Sequence, residues 1–291
     1  MNAKRLVIAA AGLCCVLLGL AVIQPAAAGP GGGNGNGGNS PATMALTGVI
    51  RDFTPAHPDF DVVPPDGYGH YMWNVATELS QTNKPVFEGG GFKVAQDAHD
   101  AAGRPICWTL YNPALGDTPA VPNGPDHGSI TSAETFSQWF RDIPGINMSM
   151  LVTVTGVWRT QGQYAGMCEF NIPQFYPIDN LLLGNDSDHN RYFTYEIVAD
   201  FTHDSSKNYQ LMFKSDDDVW VFLEGDMVAD LGGINGSPEQ WVVLNRLNLV
   251  NGQTYRFRFF KSDRSGESRF HLVTNIPLTS VVLPTIMAAF D

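Results

Sequence analysis

Between residues 149 and 274 the chain is written in short apolar runs divided by turn residues, and the period of each run limits what it can form. Alternation at period two marks a strand with one face on a core. It is cleanest in Thr254–Ser262, where Tyr255, Phe257 and Phe259 share one face and Arg256 and Arg258 the other. Ser149–Trp158, Arg191–Asp200, Tyr209–Lys214, Val219–Glu224, Met227–Leu231, Trp241–Leu244 and Ser268–Thr274 read as further strands. Val219–Leu223 (VWVFL) differs in being apolar at every position, which predicts burial on both faces in the middle of a packed sheet. Many strands at short spacing, with Gly, Asn and Asp at the joints, predict a mainly β protein built as an antiparallel sandwich.

The N-terminal half has another texture. From Leu46 to about Gly145 the chain is rich in Gly, Pro and Asp and reads as loops and short strands, a loop-rich insertion. One short helix stands out there: Thr131 to Glu134 fits a capping box, Phe136, Trp139, Phe140 and Ile143 recur at helical spacing, and Pro144-Gly145 ends it. That aromatic stripe reads as core packing. Ahead of it, Met1–Ala28 has Lys4 and Arg5, an apolar run from Leu6 to Ile23 and a small-residue box, the layout of a cleaved export signal. Residues 29–43 are a Gly/Asn-rich spacer, residues 44–275 the folded domain, and residues 276–291 a tail without an assignable role. After the leader no segment is long and apolar enough to span a bilayer.

Charge narrows the partners. The net charge of −12 becomes about −14 once Lys4 and Arg5 leave, which disfavours nucleic acid and anionic membranes and suits divalent cations or neutral glycans. Cys14 and Cys15 lie in the leader. Cys107 and Cys168 remain, and in an exported chain such a pair predicts one disulfide.

Asp216, Asp217 and Asp218 run directly into the VWVFL strand, which would pin three carboxylates at the rim of a rigid sheet. Their mutual repulsion in a partly desolvated rim calls for protonation, several N–H donors or a hard cation; a solvated loop capping backbone groups is the alternative. Asn185–Asn190 also offers alternating oxygens, but Arg191 and Ile197 break the helix-loop-helix calcium pattern, leaving a solvated turn. The histidines lack HExxH spacing, and neither a GxSxG elbow nor a phosphate-binding glycine loop occurs, so no catalytic residue is assigned.

The stretch DDDVWVFLEGDMVADLGG (216–233) resembles the core signature of the fibro-slime domain family. TGVIRDF with HPDF (47–60), FSQWFRDIPGIN (136–147), FYPID (175–179), NRYFTYEI (190–197) and SRFHLVT (268–274) are further landmarks in the same order. That family is similar to a variant of the β-sandwich of anthrax-toxin protective antigen and fungal adhesin lectins. The resemblance implies a secreted or surface-associated protein. It also implies that a cis-linked aspartate pair, here Asp216 and Asp217, holds Ca2+, with Asp218 where many relatives have glycine. The loop Lys261–Glu267 would supply Asp263 as a further metal ligand, with Ser265 and Glu267 behind it, although the asparagine-containing loop of the lectins is not reproduced. Gly232 and Gly233 would shape the loop beside the ion. Trp220 and Trp241 could stack on a sugar but read better as core. The implied function is non-enzymatic, calcium-dependent binding of cell-surface or matrix glycans. The alternatives are a matrix or slime component that uses calcium only to stabilise a loop among protein neighbours, and a glycoside hydrolase pairing one of the aspartates with Glu224 or Glu267.

Overall fold

The computed structural model describes residues 42–124 and 127–285, together with the backbone of Ala21–Ile23. The leader and most of the spacer otherwise lie outside the described residues, as does the end of the tail.

Among the described residues, ten strands form the main sheet. They are β1 (Thr43–Asp52), β2 (Met148–Trp158), β3 (Cys168–Ile172), β4 (Phe193–Thr202), β5 (Gln210–Asp216), β6 (Val219–Leu223), β7 (Asp226–Leu231), β8 (Glu239–Val243), β9 (Thr254–Asp263) and β10 (Arg269–Thr274). Their order is β7-β6-β9-β4-β1-β2-β3-β10-β5-β8, antiparallel at every step. The β2–β3 ladder consists only of Val157 opposite Glu169 and Trp158 opposite Cys168. There the sheet turns over into two leaves, of six and four strands. At the far ends, the Gln240 side chain of β8 accepts from the Asp230 N–H of β7 at 2.8 Å and donates to the Asp230 carbonyl at 3.0 Å, so the sandwich nearly closes into a barrel. Two more pieces join this framework: Thr279–Ser280 pairs with β4, and the backbone of Ala21–Ile23 runs parallel to Val152–Val154.

The period-two pattern sends alternate residues to two different cores. Val219, Val221 and Leu223 of β6 enter the main core between the leaves, with Tyr255, Phe257 and Phe259 of β9. Trp220, Phe222 and Phe260 point the other way, into a second cluster with Phe60, Phe136, Trp139 and Phe140 of the insertion. Each such side chain contributes about 1.5–3 kcal/mol by leaving water. A buried ion network also fastens the insertion to the sheet. The Glu196 carboxylate receives Lys84 Nζ at 2.7 Å and Arg51 Nη1 at 3.0 Å, and Arg51 Nε reaches Asp142 at 2.8 Å.

All eight strands expected between 149 and 274 are present within a few residues, and Val219–Leu223 is buried throughout. The helix is shorter than its pattern. Only Ala133–Phe136 is helical, capped by Ser132, whose Oγ accepts from the Thr135 N–H at 3.1 Å, and not by Thr131. The Asn147 side chain explains the stop: it donates to the carbonyls of Gln138 and Arg141 and accepts from the Ile143 N–H, so backbone groups that a longer helix would pair internally are taken. Phe136, Trp139 and Phe140 are nonetheless core, as the stripe implied.

The expected disulfide is absent. Cys107 and Cys168 are free and buried, because the fold places Cys107 in the insertion cluster and Cys168 in the main core between the leaves. Burial pushes both thiols up to about 12. We expect neither to react with a thiol reagent in the native protein, both to react on unfolding, and reductant to leave the melting temperature unchanged; a reductant-sensitive melt would contradict the free pair. A Cβ on Gly48 of β1 would come within 2.4 Å of the Glu196 carbonyl and 2.6 Å of the Tyr195 ring. Gly48→Ala should therefore cost about 1–3 kcal/mol by overpacking, read as a lower urea midpoint at unchanged slope.

Candidate functional site

The site forms where β5 hands over to β6. The Asp216–Asp217 peptide is cis, in the register expected for the pair, and the three aspartates leave the chain in three directions. Asp216 is half-buried, and its Oδ2 accepts from the Ser237 hydroxyl at 3.0 Å. Asp217 is 1% exposed and faces the closing loop between β9 and β10: Oδ2 accepts from the N–H groups of Arg264 and Ser265 at 2.8 and 3.2 Å, and Oδ1 from that of Asn235 at 3.1 Å. Asp218 turns away from the surface. Its Oδ2 accepts from the Ser262 hydroxyl at 2.6 Å and from Arg264 Nε at 2.8 Å, in an ion pair with both side chains fully buried, and the Gly233 N–H donates to Oδ1.

Beneath this turn lies Asp263, fully buried, with neither carboxylate oxygen receiving a hydrogen bond. The Ser268 hydroxyl lies alongside, itself without a partner. The Lys261 ammonium is buried in the same acidic cluster, donating to the carbonyls of Asp216 and Ser262. Part of the expected compensation comes from within the protein, through N–H donors to Asp217 and through Lys261 and Arg264. The balance is still negative. Four aspartates face two cations, and Arg269 and Glu267, toward solvent, act in opposite senses on Asp216. The carboxyl pKa values move accordingly. Burial raises Asp216; burial and the neighbouring Asp218 raise Asp217 to about 7; burial raises Asp263 well above the ordinary carboxyl range. Burial also lowers Lys261 against the pull of all four aspartates.

A surface depression of about 250 Å3 opens above, lined among others by Tyr68, Asp216, Asp217, Asn235, Ser265 and Glu267. Of the residues named from the sequence, Asp216, Asp217, Ser265 and Glu267 thus meet at one surface, with Asp263 below them. Asp218 and Gly233 face the Arg264 side, and Gly232 bonds through its carbonyl to the Tyr71 N–H, docking the insertion. Tyr68 and Asn235 were not singled out for the site. Asn235 lies only two residues past Gly233, a nearness to the signature that is its one sequence signal; Tyr68 carries no local motif. No three carboxylate, imidazole or thiol side chains among the described residues converge closely enough to cage an ion alone. An ion here would also draw on amide, hydroxyl, backbone or water oxygens, the mixed shell that calcium's six to eight ligands allow.

The other candidates resolve simply. Trp220 is fully buried, and Trp241 is partly buried against Met212 and Val273. Glu224 ends the other side of β6, about 20 Å of extended chain from Asp218, beyond the roughly 5–10 Å that a hydrolase pair needs. In the 185–190 turn Asp188 pairs with Arg191 at 2.6 Å and Asp186 accepts from the Tyr192 hydroxyl at 3.0 Å, so its oxygens serve the turn itself.

Residues 180–281, which hold β4 to β10 and every aspartate of the site, match the PA14 domain family. In Dictyostelium discoideum, protein psiC is 32% identical over 252 residues, covering 82% of this chain and 42% of psiC. Protein psiQ of the same organism is 29% identical over 259 residues, covering 83% of this chain and 22% of psiQ. The chain thus spans less than half the length of these curated relatives. Similar solved structures include the PA14 sugar-binding domain from an RTX adhesin, 9% identical, covering 81% of this chain and 95% of that domain at a TM-score of 0.28. Another is the PA14 domain of the MpAFP antifreeze protein, 10% identical, covering 85% and 97% at 0.27. The match of residues 180–281 to the PA14 domain supports the PA14 level of the motif resemblance, while the narrower fibro-slime grouping rests on the motifs alone.

Proposed function

We propose that this chain is an exported, non-enzymatic module that binds carbohydrate through calcium, serving adhesion at a cell surface or in an extracellular matrix. The observation that carries this reading is the charge balance: once all four aspartates are ionised they outnumber the two buried cations by two beneath an oxygen-lined depression, an ionisation that burial opposes at Asp217 and Asp263. One divalent ion matches that excess. The donors are all hard oxygens, which suit calcium over thiolate- or imidazole-preferring metals. Asp216 and Asp217 would hold it, with Asp263 below and Asn235, Ser265 or Glu267 beside.

When bound, calcium supplies a divalent charge whose exposed face can exchange water for adjacent sugar hydroxyls. The protein's own part is position and selectivity. Backbone N–H groups of Arg264, Ser265 and Asn235 fix Asp217, and the Asp218–Arg264 pair fixes the backbone behind it. Tyr68, 54% exposed at the rim, offers a ring face to the apolar side of a sugar, a role that the buried Trp220 cannot take. The PA14 match supports carbohydrate as the ligand class, and the leader layout supports export.

Calcium at about a hundred times its Kd should raise the melting temperature by about 5–10 °C. Asp216→Asn, whose amide oxygen can keep the bond from the Ser237 hydroxyl, should sharply reduce that rise while melting close to wild type in chelator, and equal destabilisation in both buffers would make Asp216 purely structural. A glycan array probed with and without chelator should show calcium-dependent retention that Tyr68→Ala weakens without changing the calcium-induced rise; a rise without any glycan retention would leave calcium as a stabiliser only.

The pH dependence follows from Asp217, near 7 when folded against 3.8 when free. A raised folded pKa contributes stability that is fully present below pH 4 and lost as pH climbs through about 7; Asp263 acts in the same direction. Calcium binds the ionised form, so its effect on melting should be small at pH 4.5 and grow up to pH 8. A calcium shift independent of pH would detach the ion from these carboxylates.

A further inference from the structure

On the insertion, away from the aspartates, a cavity of about 430 Å3 opens beside the packed indoles of Trp73 and Trp108, lined also by buried Val75 and by exposed Glu78 and Glu88. Its volume falls in the small-molecule range. We infer that this cleft binds a quaternary or protonated amine.

One buried carboxylate anchors the backbone of Trp73 and the indole of Trp108. Asp230 Oδ2 accepts from the Trp73 backbone N–H at 3.1 Å and from Trp108 Nε1 at 3.0 Å, while Oδ1 accepts from Trp220 Nε1 at 3.0 Å. Asp230 itself is fully buried in β7. The Trp108 indole and the Trp73 backbone are therefore both fastened to the strand that pairs with the doubly buried β6. Trp73 sits at φ 66°, a left-handed conformation unusual for a bulky side chain; together with an edge-on contact from Phe92 at 5.7 Å, this sets where its ring stands. The rings of Trp73 and Trp108 lie 5.7 Å apart and are inclined at 42°. They form a corner, not the flat platform on which a sugar ring stacks.

The electrostatics select the occupant. Indole faces are negative and attract cations, most strongly where water is displaced. Glu78 and Glu88 add full negative charge at the mouth, no lysine or arginine lines the cavity, and the chain as a whole carries −12. An amine bearing methyl groups meets every wall: its methyl surface lies on the indoles and Val75, and its charge faces the carboxylates. This site shares no residue with the depression above Asp217, so its occupancy is independent of the calcium reading.

The test is titration of the full chain in chelator, followed by tryptophan fluorescence, with three probes: choline, its neutral carbon isostere 3,3-dimethylbutan-1-ol, and methyl glucoside. Choline should give a saturable change, the isostere should bind about tenfold more weakly, in keeping with a desolvated cation–π contact, and methyl glucoside should give none. Glu78→Gln with Glu88→Gln should weaken choline about tenfold and leave the isostere unchanged, and added salt should act in the same direction. Trp73→Phe, which keeps a ring and the backbone bond to Asp230, should melt like wild type and bind choline less tightly. Equal binding of choline and its isostere, saturable binding of the glucoside in place of choline, or no saturable signal from choline in a protein that melts normally would each overturn the inference.

Discussion

The structure depends on one strand being buried on both faces. β6 has no polar side chain, so neither of its faces can meet water without cost, and the chain covers one with the second leaf of the sandwich and the other with the insertion. Because both clusters are close-packed, β6 has little freedom to shift along its axis or tilt. Whatever is attached to its ends inherits that rigidity. Asp217 and Asp218 sit at its start, and Asp230 on the neighbouring strand lies opposite Trp220. The acidic turn and the two indoles of the insertion are thus different outlets of one immobile centre.

Around that centre the protein buries charge freely: Asp218 against Arg264, Glu196 against Arg51 and Lys84, Asp117 against Arg246. Such pairs are a weak source of stability, because desolvation offsets much of the attraction. Their consequence here is positional. Asp218–Arg264 ties the aspartate turn to the closing loop, and Arg264 also lies over the Trp139 ring at 5.1 Å and donates to the Ser129 carbonyl at 2.7 Å, so three separate chain segments meet on one guanidinium. The acidic turn differs from these pairs in that its charges do not cancel. That imbalance makes it a candidate for binding while the Glu196 network, neutralised from inside the protein, reads as architecture.

Two strands and two site residues escaped sequence reading for definite reasons. Thr43–Asp52 mixes Thr, Gly and Ala among its apolar residues and lies in a Gly/Pro-rich region, so its burial comes from pairing with β2 and β4 on both sides and not from its own pattern. Cys168–Ile172 is only five residues long, with Glu169 and Asn171 outward, too short to establish a period. Tyr68 and Asn235 come from loops whose place beside Asp217 is set by the docking of Tyr71 on Gly232. The helix and the disulfide failed in the opposite sense, where a strong local signal was overruled. The Gln138 and Arg141 carbonyls and the Ile143 N–H, which a longer helix would need, were taken by Asn147, and the two thiols were drawn into separate apolar clusters because each fitted there better as a small hydrophobe.

By itself the amino-acid order determined what depends on near neighbours: the strands between 149 and 274, the facing of Tyr255, Phe257 and Phe259, the two-sided burial of VWVFL, and the placing of three acids at its rim. These follow because side-chain direction alternates with a fixed period and apolar surface avoids water wherever the strand ends up. Only the tertiary structure decided which aspartate faces solvent, which is locked to Arg264, that Lys261 already supplies one of the needed positive charges, and that Trp73 and Trp108 stand together. Those outcomes rest on contacts between residues far apart along the chain, where the low dielectric of a shared interior, and not any local pattern, sets which charges and rings come to face one another.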